Sequence, residues 1–548
     1  MPSDYRDDSM DVVRLRAAVS RIARCGFWED SIRRRLGLDD LADVQWRHLP
    51  MYRAERLANP DPLALAIDLF LLQGSVLESE LDRLLARPER DALIETGLLS
   101  IDANGWAHSH ASLFPVGRRL IFSDHAWPEL PHSPSGATSP APVMAIGRDS
   151  RNLARCTVRR RFRSALDLCT GSGIQAALAS AHCERVLAVD LNPRAAQCAR
   201  FNARIAGIAN LEVAVGDLFE PAGGERFDLI IANPPFVPSP VYSLLFRDGG
   251  RSGEEVQKRI VAGLPGHLAR NGIAQMVTEL GERDGEPVTD RLREWLQGAR
   301  MDIHILRLGE HTANDYAVGH ASGDSYPEFL ASIDEWASNL RAQGYVRVVS
   351  LLISFQWSDA ECGPPWERID ECPPPRGNAG AEIDAIFAAE RLTRRSDWPE
   401  FLKNGRLRRA APLALLDARM AGSQVPGKTK ASVLGRALRI EHPLDAVERQ
   451  ILDWLDRRDM PAQGLFAVLR RLDADETAVI AALRSLLRRQ LVYCDVSDRR
   501  GAGLQGFCGA TAAALSPART RVFLPTGGGS PPSQTRNAGF APSAEEAP

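Results

Sequence analysis

The residues best suited to chemistry in this chain are Asn233, Pro234, Pro235 and Phe236, which follow the apolar run 229–232. An apolar run of this kind predicts a buried parallel strand, so the four residues would lie at its carboxyl end. The Asn233 side-chain oxygen and the Pro234 carbonyl could accept both N–H groups of a planar NH2 and turn the nitrogen lone pair outward. The prolines stiffen the backbone, and Phe236 offers a stacking face. We therefore predict that these four residues are catalytic and act on a planar amide-like or amino nitrogen.

A glycine turn further upstream predicts a ligand site. The strand-like run 165–169 contains Asp167 and leads through residues 170–173 into a helix. Gly171 and Gly173 permit unusual backbone angles and the close approach of a ligand. The helix N-terminus leaves N–H groups free for an anionic group. Taken alone, a strand, a GxG turn and a helix are a weak signal.

The next two strand-like runs strengthen this signal, because each leads to an acidic residue. Asp190 stands 23 positions after Asp167, about where doubly wound folds place a carboxylate for ribose hydroxyls. Asp217 follows the third run and could take the exocyclic amine of an adenine. Each carboxylate could instead be a helix cap, but three in register with a glycine turn favour a ligand. NAD(P) is the competing ligand, although Gln175-Ala176 stands where GxGxxG would place its third glycine.

These two sets of residues together resemble the class I S-adenosyl-L-methionine (SAM)-dependent methyltransferases that carry an (N/D)PP(F/Y) motif. That group includes DNA adenine-N6, ribosomal RNA guanine-N2 and release-factor glutamine methyltransferases. The resemblance covers about residues 150–290 and implies SAM as the cofactor. The residues expected to hold it are Asp167, Cys169, Thr170, Gly171, Gly173, Asp190, Leu191, Asp217, Leu218 and Asn233. We predict no metal site.

Two details are similar to the glutamine methyltransferases in particular. One is Phe236-Val237-Pro238, and the other is the acidic, glycine-rich stretch 246–253. Phe236 stands in place of their commoner tyrosine, and the flanking regions resemble those of larger bacterial multidomain methyltransferases, so release-factor specificity is not carried over. Asp248 either orders a loop over the substrate or is simply a turn residue.

Hydrophobic periodicity predicts an α/β fold, in which a Rossmann-like doubly wound sheet lies between helical, possibly winged-helix, domains. An insertion at 309–344 would lie at the carboxyl edge of the sheet, where substrates bind. The predicted segments are a helical, winged-helix-like domain 1–127, a linker 128–142, a methyltransferase domain 143–358, a linker 359–380, a helical, winged-helix-like domain 381–514 and a disordered tail 515–548.

Composition limits the possible partners. The formal net charge is −3, which argues against attraction of the whole protein to nucleic acid. Residues 1–140 carry 16 basic and 21 acidic side chains, whereas residues 401–500 carry 19 and 12. Five arginines between 155 and 163 could meet phosphate or form a solvated positive edge. Scattered cysteines, an acidic N-terminus and apolar stretches too short for a bilayer predict a cytoplasmic protein without membrane contact.

The preferred hypothesis is therefore a SAM-dependent N-methyltransferase acting on a protein side chain or a small metabolite. One alternative is a nucleic-acid methyltransferase acting on adenine N6 or guanine N2 of rRNA, tRNA or DNA. Another is a non-catalytic SAM-binding or DNA-binding regulator. The sequence leaves the acceptor and the oligomeric state open.

Overall fold

The amino-terminal region folds into short helices followed by two small sheets. The computed structural model describes residues 11–126, 142–241, 244–417, 429–456, 459–470 and 475–495. The first elements are α1 (Val12–Arg24), α2 (Glu29–Leu36), α3 (Leu49–Met51), α4 (Pro62–Ala66), β1 (Ser75–Leu77), α5 (Glu78–Leu84), α6 (Arg87–Glu95), β2 (Leu99–Ile101), β3 (Trp106–Ser109), β4 (Ser112–Val116) and β5 (Arg119–Ser123).

Elements α4 to β3 follow the order helix, strand, helix, helix, hairpin, and the three strands form one sheet in the order β1-β3-β2. This is the element order expected of a winged helix. Strand β2 pairs with β3, whereas the run 113–122 folds back on itself as β4 and β5. Gly117, with φ +59°, makes the turn between these two strands.

The central sheet carries the predicted site. Its strands are β6 (Phe162–Leu168), β7 (Cys183–Asp190), β8 (Leu211–Val215), β9 (Phe227–Ala232), β10 (Leu268–Arg283), β11 (Met301–Thr312), β12 (Tyr345–Trp357) and β13 (Glu367–Glu371). Their spatial order is β13-β11-β12-β10-β9-β6-β7-β8. Strand β12 runs antiparallel to both neighbours, and the other pairs are parallel.

Helices cover both faces of this sheet, which confirms the predicted doubly wound α/β architecture. They are α7 (Arg148–Cys156), α8 (Ile174–Ala179), α9 (Pro193–Ala206), α10 (Glu255–His267), α11 (Val288–Trp295), α12 (Ala313–His320) and α13 (Tyr326–Ala342). Strand order reverses between β6 and β9, and ligands of open α/β sheets bind at such a switch point. Helices α12 and α13 form the insertion predicted at 309–344, between β11 and β12.

The segment expected as a second linker, 359–380, contains part of this sheet. Strand β13 lies within it and pairs in parallel with β11, and the preceding Trp366 is buried. The sequence of β13, Glu-Arg-Ile-Asp-Glu, is polar because this strand lies at the edge of the sheet, so the apolar pattern of a central strand is missing. The sheet therefore extends beyond the boundary expected at residue 358.

The carboxyl-terminal region is mainly helical. Its elements are α14 (Gly380–Arg394), α15 (Trp398–Lys403), β14 (Arg406–Arg409), β15 (Leu413–Asp417), β16 (Thr429–Val433), β17 (His442–Pro443), α16 (Ala446–Leu455), β18 (Met460–Pro461), α17 (Ala462–Arg470), α18 (Glu476–Arg488) and β19 (Val492–Asp495). Asp445 caps α16, accepting a hydrogen bond from the Glu448 amide. The predicted disordered tail and most of the linker 128–142 lie outside the described residues. Of the helices described, none has the length and apolarity needed to cross a bilayer.

The amino-terminal region and the central sheet share a hydrophobic core. Leu15 and Ile22 of α1 belong to the same buried cluster as Ile174 of α8 and Phe201 of α9. Asn202 of α9 also accepts a hydrogen bond from the Phe122 amide at 2.9 Å. The amino-terminal region therefore packs as one body with the helices next to the glycine turn.

Candidate active site

A cavity of about 230 Å³ lies at the carboxyl ends of β6, β7 and β9. Nine of the predicted site residues line it: Cys169, Thr170, Gly171, Asp190, Leu191, Asp217, Leu218, Asn233 and Pro235. The other four, Asp167, Gly173, Pro234 and Phe236, lie behind or beside this lining. The cofactor residues and the Asn-Pro-Pro-Phe segment thus meet at one place, although they come from different strands.

The two glycines of the turn after β6 have different roles. Gly171 has φ +56°, and a Cβ there would meet no atom within 4 Å, because it would project into open space. Gly173 has φ +83°, and a Cβ there would lie 3.0 Å from the Cβ of Ala199 in α9. The first glycine therefore leaves room for a ligand, and the second lets two helices approach closely.

Asp167 shapes the turn from behind. Its Oδ2 accepts hydrogen bonds from the Thr170 hydroxyl at 2.6 Å and from the Ala176 amide at 2.9 Å. Burial raises the pKa of this carboxyl to about 7, although both hydrogen bonds oppose the shift. Asp167, expected as a cofactor ligand, instead fixes the backbone that faces the cavity.

Asp190, the last residue of β7, lies next to the same turn. Its carboxylate accepts the Gly171 amide at 2.8 Å on one oxygen and the Asn192 amide at 2.9 Å on the other. Burial raises its pKa. Because a carboxylate offers about four acceptor positions, Asp190 can still accept a hydroxyl from a ligand in the cavity.

The far wall of the cavity combines charge and apolar surface. Asp217 forms an ion pair with Arg259 of α10, with 2.7 Å between Oδ2 and Nη2, and both residues line the cavity. Leu191 is 55% exposed there, and Leu218 has a left-handed backbone with φ +50°. An exposed leucine beside two carboxylates suits a ligand with a flat apolar body and polar edges.

Cys169 also lies in the turn after β6 and lines the cavity, but its thiol is not activated as a nucleophile. Burial raises the pKa of its thiol, and the neighbouring carboxylates Asp190, Asp167 and Asp217 raise it further. A thiol with a raised pKa is a poor nucleophile. Its contribution is therefore packing and backbone shape, with φ +56°.

Asn233 follows β9 and faces the cavity. Its amide nitrogen donates to the Ser150 hydroxyl in α7 at 3.1 Å, so its carbonyl oxygen points elsewhere. No donor among the described residues bonds either this oxygen or the Pro234 carbonyl. Asn233 therefore keeps a hydrogen-bond acceptor at the cavity, whereas Pro234 is buried and is not among the lining residues.

The backbone after Asn233 is held by a second loop. Val237 accepts from the Gly249 amide at 3.0 Å and donates to the Arg247 carbonyl at 2.9 Å. Asp248 is buried, and its carboxylate accepts the Leu244 amide at 2.8 Å and the Arg247 Nε at 2.8 Å. Asp248 thus orders its own turn, and the hypothesis that this loop lies over the substrate stays a prediction.

The helical insertion packs against the same segment. Phe236 contacts a cluster that includes Val237, Tyr316 of α12 and Trp336 of α13. Asn339 of α13 donates to the carbonyls of Pro238 at 3.1 Å and Arg251 at 2.9 Å. The insertion therefore supports both loops beside Asn233, at the carboxyl edge of the sheet.

Several lining residues carried no signal in the sequence. Ser150 lies in an ordinary polar stretch before the first strand, and its contact with Asn233 joins residues 83 positions apart. The remaining unpredicted lining includes Pro142, Val143, Ile146, Gln175, Leu245, Phe246, Val256 and Arg259. The buried residues of α7 include Ser150, Arg151 and Asn152, so no apolar pattern in the sequence could have placed this helix beside the glycine turn.

Comparison with known proteins gives names to two regions of this chain. Residues 145–286 match the family model "Methyltransferase small domain", and residues 24–109 match a domain of unknown function, DUF7059. The ribosomal protein uL3 glutamine methyltransferase of Bordetella pertussis is 29% identical over 259 residues, which are 44% of this chain and 80% of that protein.

Two further relatives are similar over shorter stretches. A Methanocaldococcus jannaschii protein, provisionally named a protein N5-glutamine methyltransferase, is 32% identical over 25% of this chain and 71% of its own length. The release factor glutamine methyltransferase of Aquifex aeolicus is 30% identical over 20% of this chain and 41% of its own length.

Proposed function

Because the chain belongs to the class I SAM-dependent methyltransferases, we propose that it methylates the side-chain amide nitrogen of a glutamine in a protein. The chain is thus an enzyme, and the family implies SAM as the methyl donor. Relatives named for glutamine methylation support a protein acceptor. We further propose that the cavity residues bind SAM and that the enzyme acts in the cytoplasm.

One observation carries the choice of a planar nitrogen. The Asn233 amide nitrogen is bonded to Ser150, which leaves Oδ1 of Asn233 as a hydrogen-bond acceptor at the end of β9, where Pro234 follows. Together, Oδ1 of Asn233 and the Pro234 carbonyl could hold both N–H groups of an amide. This weakens the delocalisation of the nitrogen lone pair and directs it toward the methyl donor.

The cavity residues fit SAM. Gly171 leaves open space beside helix α8, whose N-terminal N–H groups suit a carboxylate. Asp190 can accept ribose hydroxyls, and Asp217 can accept an adenine amino group. When bound, SAM supplies a methyl group already activated by a sulfonium. The residues around Asn233 then need only position the acceptor nitrogen and exclude water.

The surroundings of the segment also support a polypeptide acceptor. Phe236 is half-buried, with part of its ring against the cluster that contains Tyr316 and Trp336. Two loops and a helical insertion border this point, which provides more surface than a small metabolite requires. A planar amide can stack on the accessible face of Phe236.

The test is to label acceptors with tritiated SAM. The full-length enzyme is incubated with bacterial lysate, and the products are separated into protein, nucleic acid and small molecules. We expect label in protein, and mass spectrometry should place one methyl group on a glutamine side chain. Label confined to nucleic acid or small molecules would sink the proposal, as would a methyl group on lysine or arginine.

The matched controls are Asn233→Ala and Asn404→Ala. Asn233→Ala should reduce labelling by about 10²–10³-fold, the range for loss of one preorganised hydrogen-bonding group, with SAM affinity unchanged within a few-fold. Asn404 is exposed on α15's end, so its substitution should leave labelling intact. Collapse of SAM binding in Asn233→Ala would instead assign Asn233 to the cofactor site.

A further inference from the structure

A second groove opens on the opposite edge of the central sheet from the cavity. Its volume is about 560 Å³, and it lies at the amino ends of β6, β9 and β10. Strand β6 has seven residues, so the groove lies about 20 Å from the proposed methyl-transfer site. It therefore does not belong to the site already described.

The groove is strongly basic. Arg160, Arg161, Arg163, Arg270 and Arg391 line it, and Asp228 is the acidic residue among the lining residues. Asp384 lies 3.3 Å from Arg160, so these charges together leave an excess of three positive ones. The protein as a whole has a net charge of −3. The positive field is therefore local to this edge of the sheet.

The guanidinium groups of two of these arginines lie over aromatic rings. The guanidinium carbon of Arg160 lies 5.0 Å from the ring centre of Phe162, and that of Arg270 lies 4.2 Å from the ring centre of Trp357. Such cation–π contacts support one face of each guanidinium. Arg160 also donates to the Asn271 carbonyl at 2.7 Å. Both side chains are exposed, so solvent or a partner can reach the groove side.

The other charges also remain accessible. Arg161 is exposed, and the Arg163 side chain is 82% exposed although its Nε lies 3.5 Å from Asp228. An oxygen of Asp228 already accepts the Arg163 backbone amide at 3.0 Å. A single carboxylate shared in this way does not neutralise the groove, so its arginines can bind anions.

We propose that this groove binds the sugar-phosphate backbone of an unpaired nucleic-acid strand. Arginine forks match phosphate oxygens in pairs. Guanidinium groups that lie over aromatic rings also give unpaired bases a surface to stack on, which an acidic peptide would not use. The site goes beyond the proposed methyl transfer and does not depend on it. It would anchor the enzyme to such a strand while the opposite edge of the sheet acts on the methyl acceptor.

The test is fluorescence anisotropy of a labelled single-stranded RNA of about 12 nucleotides with the full-length protein. Affinity should fall with added salt, with a slope near −0.7 for each phosphate contacted. The triple variant R161Q/R163Q/R270Q should bind at least tenfold more weakly at 100 mM salt. Its salt slope should be shallower by about 2, because three contacts are lost.

The control removes the same charge elsewhere. R47Q/R118Q/R341Q alters three exposed arginines outside the groove and should bind RNA within twofold of the parent. Because Arg270 packs on Trp357, thermal melting checks the fold, and R161Q/R163Q alone should still weaken binding several-fold. Equal RNA affinity of the groove and control variants would overturn the proposal. So would displacement of the RNA by polyglutamate at matched charge.

Discussion

The side-chain amide of Asn233 donates a hydrogen bond to the hydroxyl of Ser150 across 3.1 Å. Ser150 is itself held in place, because its carbonyl accepts the Gln175 side-chain amide at 2.8 Å and its side chain is buried in α7. An asparagine amide can adopt two orientations that differ by a rotation of about 180° and exchange the positions of its donor nitrogen and its acceptor oxygen. In the orientation that the structure shows, the nitrogen bonds Ser150 and the oxygen remains for the N–H groups of the methyl-accepting nitrogen.

Ser150→Ala should therefore reduce kcat about tenfold while SAM affinity changes by less than threefold. The loss corresponds to about 1.4 kcal/mol, the scale of one hydrogen bond, because the amide can then turn its nitrogen toward the substrate. Steady-state kinetics and calorimetric SAM binding measure both quantities. Ser354→Ala removes another buried hydroxyl, bonded to Gln275, and should leave kcat unchanged. Equal kcat in Ser150→Ala and the parent would remove the positioning role.

Gly253→Ala should impair transfer much more than Gly285→Ala. Both glycines have φ +74°, so both substitutions carry the same backbone strain of about 1–2 kcal/mol. A Cβ at Gly253 would lie 2.5 Å from the Phe236 carbonyl oxygen, whereas one at Gly285 would meet nothing within 4 Å. We expect kcat to fall at least tenfold in the first variant and less than twofold in the second. Similar kcat values would show that the loop does not position the segment after β9.

Gly171→Ala should weaken SAM binding about tenfold or more, because the new methyl group would project into the cavity. Gly223→Ala is the matched control, with φ +55° against +56° and open space around the Cβ, but it lies outside the cavity lining. Isothermal titration calorimetry compares the two variants. Equal SAM affinities would place the cofactor away from the glycine turn.

Asp167 should make folding stability dependent on pH. Its pKa is raised to about 7 in the folded protein, above the unfolded value of about 3.9. A raised pKa favours the protonated, folded form, so its contribution is complete below about pH 4 and is lost as the pH rises through about 7. Asp167→Asn should remove this loss, and its stability relative to the parent should increase by about 2–3 kcal/mol between pH 5 and pH 8.

Urea unfolding at the two pH values measures the effect. The control is Asp284→Asn, at an exposed position, which should show no such gain. A difference between parent and Asp167→Asn that stays constant from pH 5 to pH 8 would contradict the raised pKa.

The sequence predicted the central strands and the glycine turn well, because buried parallel strands are continuous apolar runs and the turn needs glycine. It also placed Asn233 at a strand end, as the structure does. It did not predict β13, whose polar residues lack that apolar pattern. Nor did it predict Ser150 or Arg259, whose roles come from contacts between segments far apart in the chain.

The expected boundary after residue 127 failed for a different physical reason. A proline-rich stretch marks a loop at the surface, but it does not show whether the regions on either side have separate cores. Helices α8 and α9 each contact the sheet on one side and the amino-terminal region on the other. The apolar residues of α8 and α9 do not show, from the sequence alone, which of them face the sheet and which face the amino-terminal region.

The shared core of α1, α8 and α9 ties the amino-terminal region to the part of the chain that holds the glycine turn. If the amino-terminal region were deleted, Ile174 and Phe201 would become exposed, and an apolar surface would open directly behind the glycine turn. The catalytic part therefore cannot be transplanted alone, unlike a modular domain joined by a free linker. Substitutions in α1 that face this core would disturb the packing behind the glycine turn, even though α1 supplies no residue that lines the cavity.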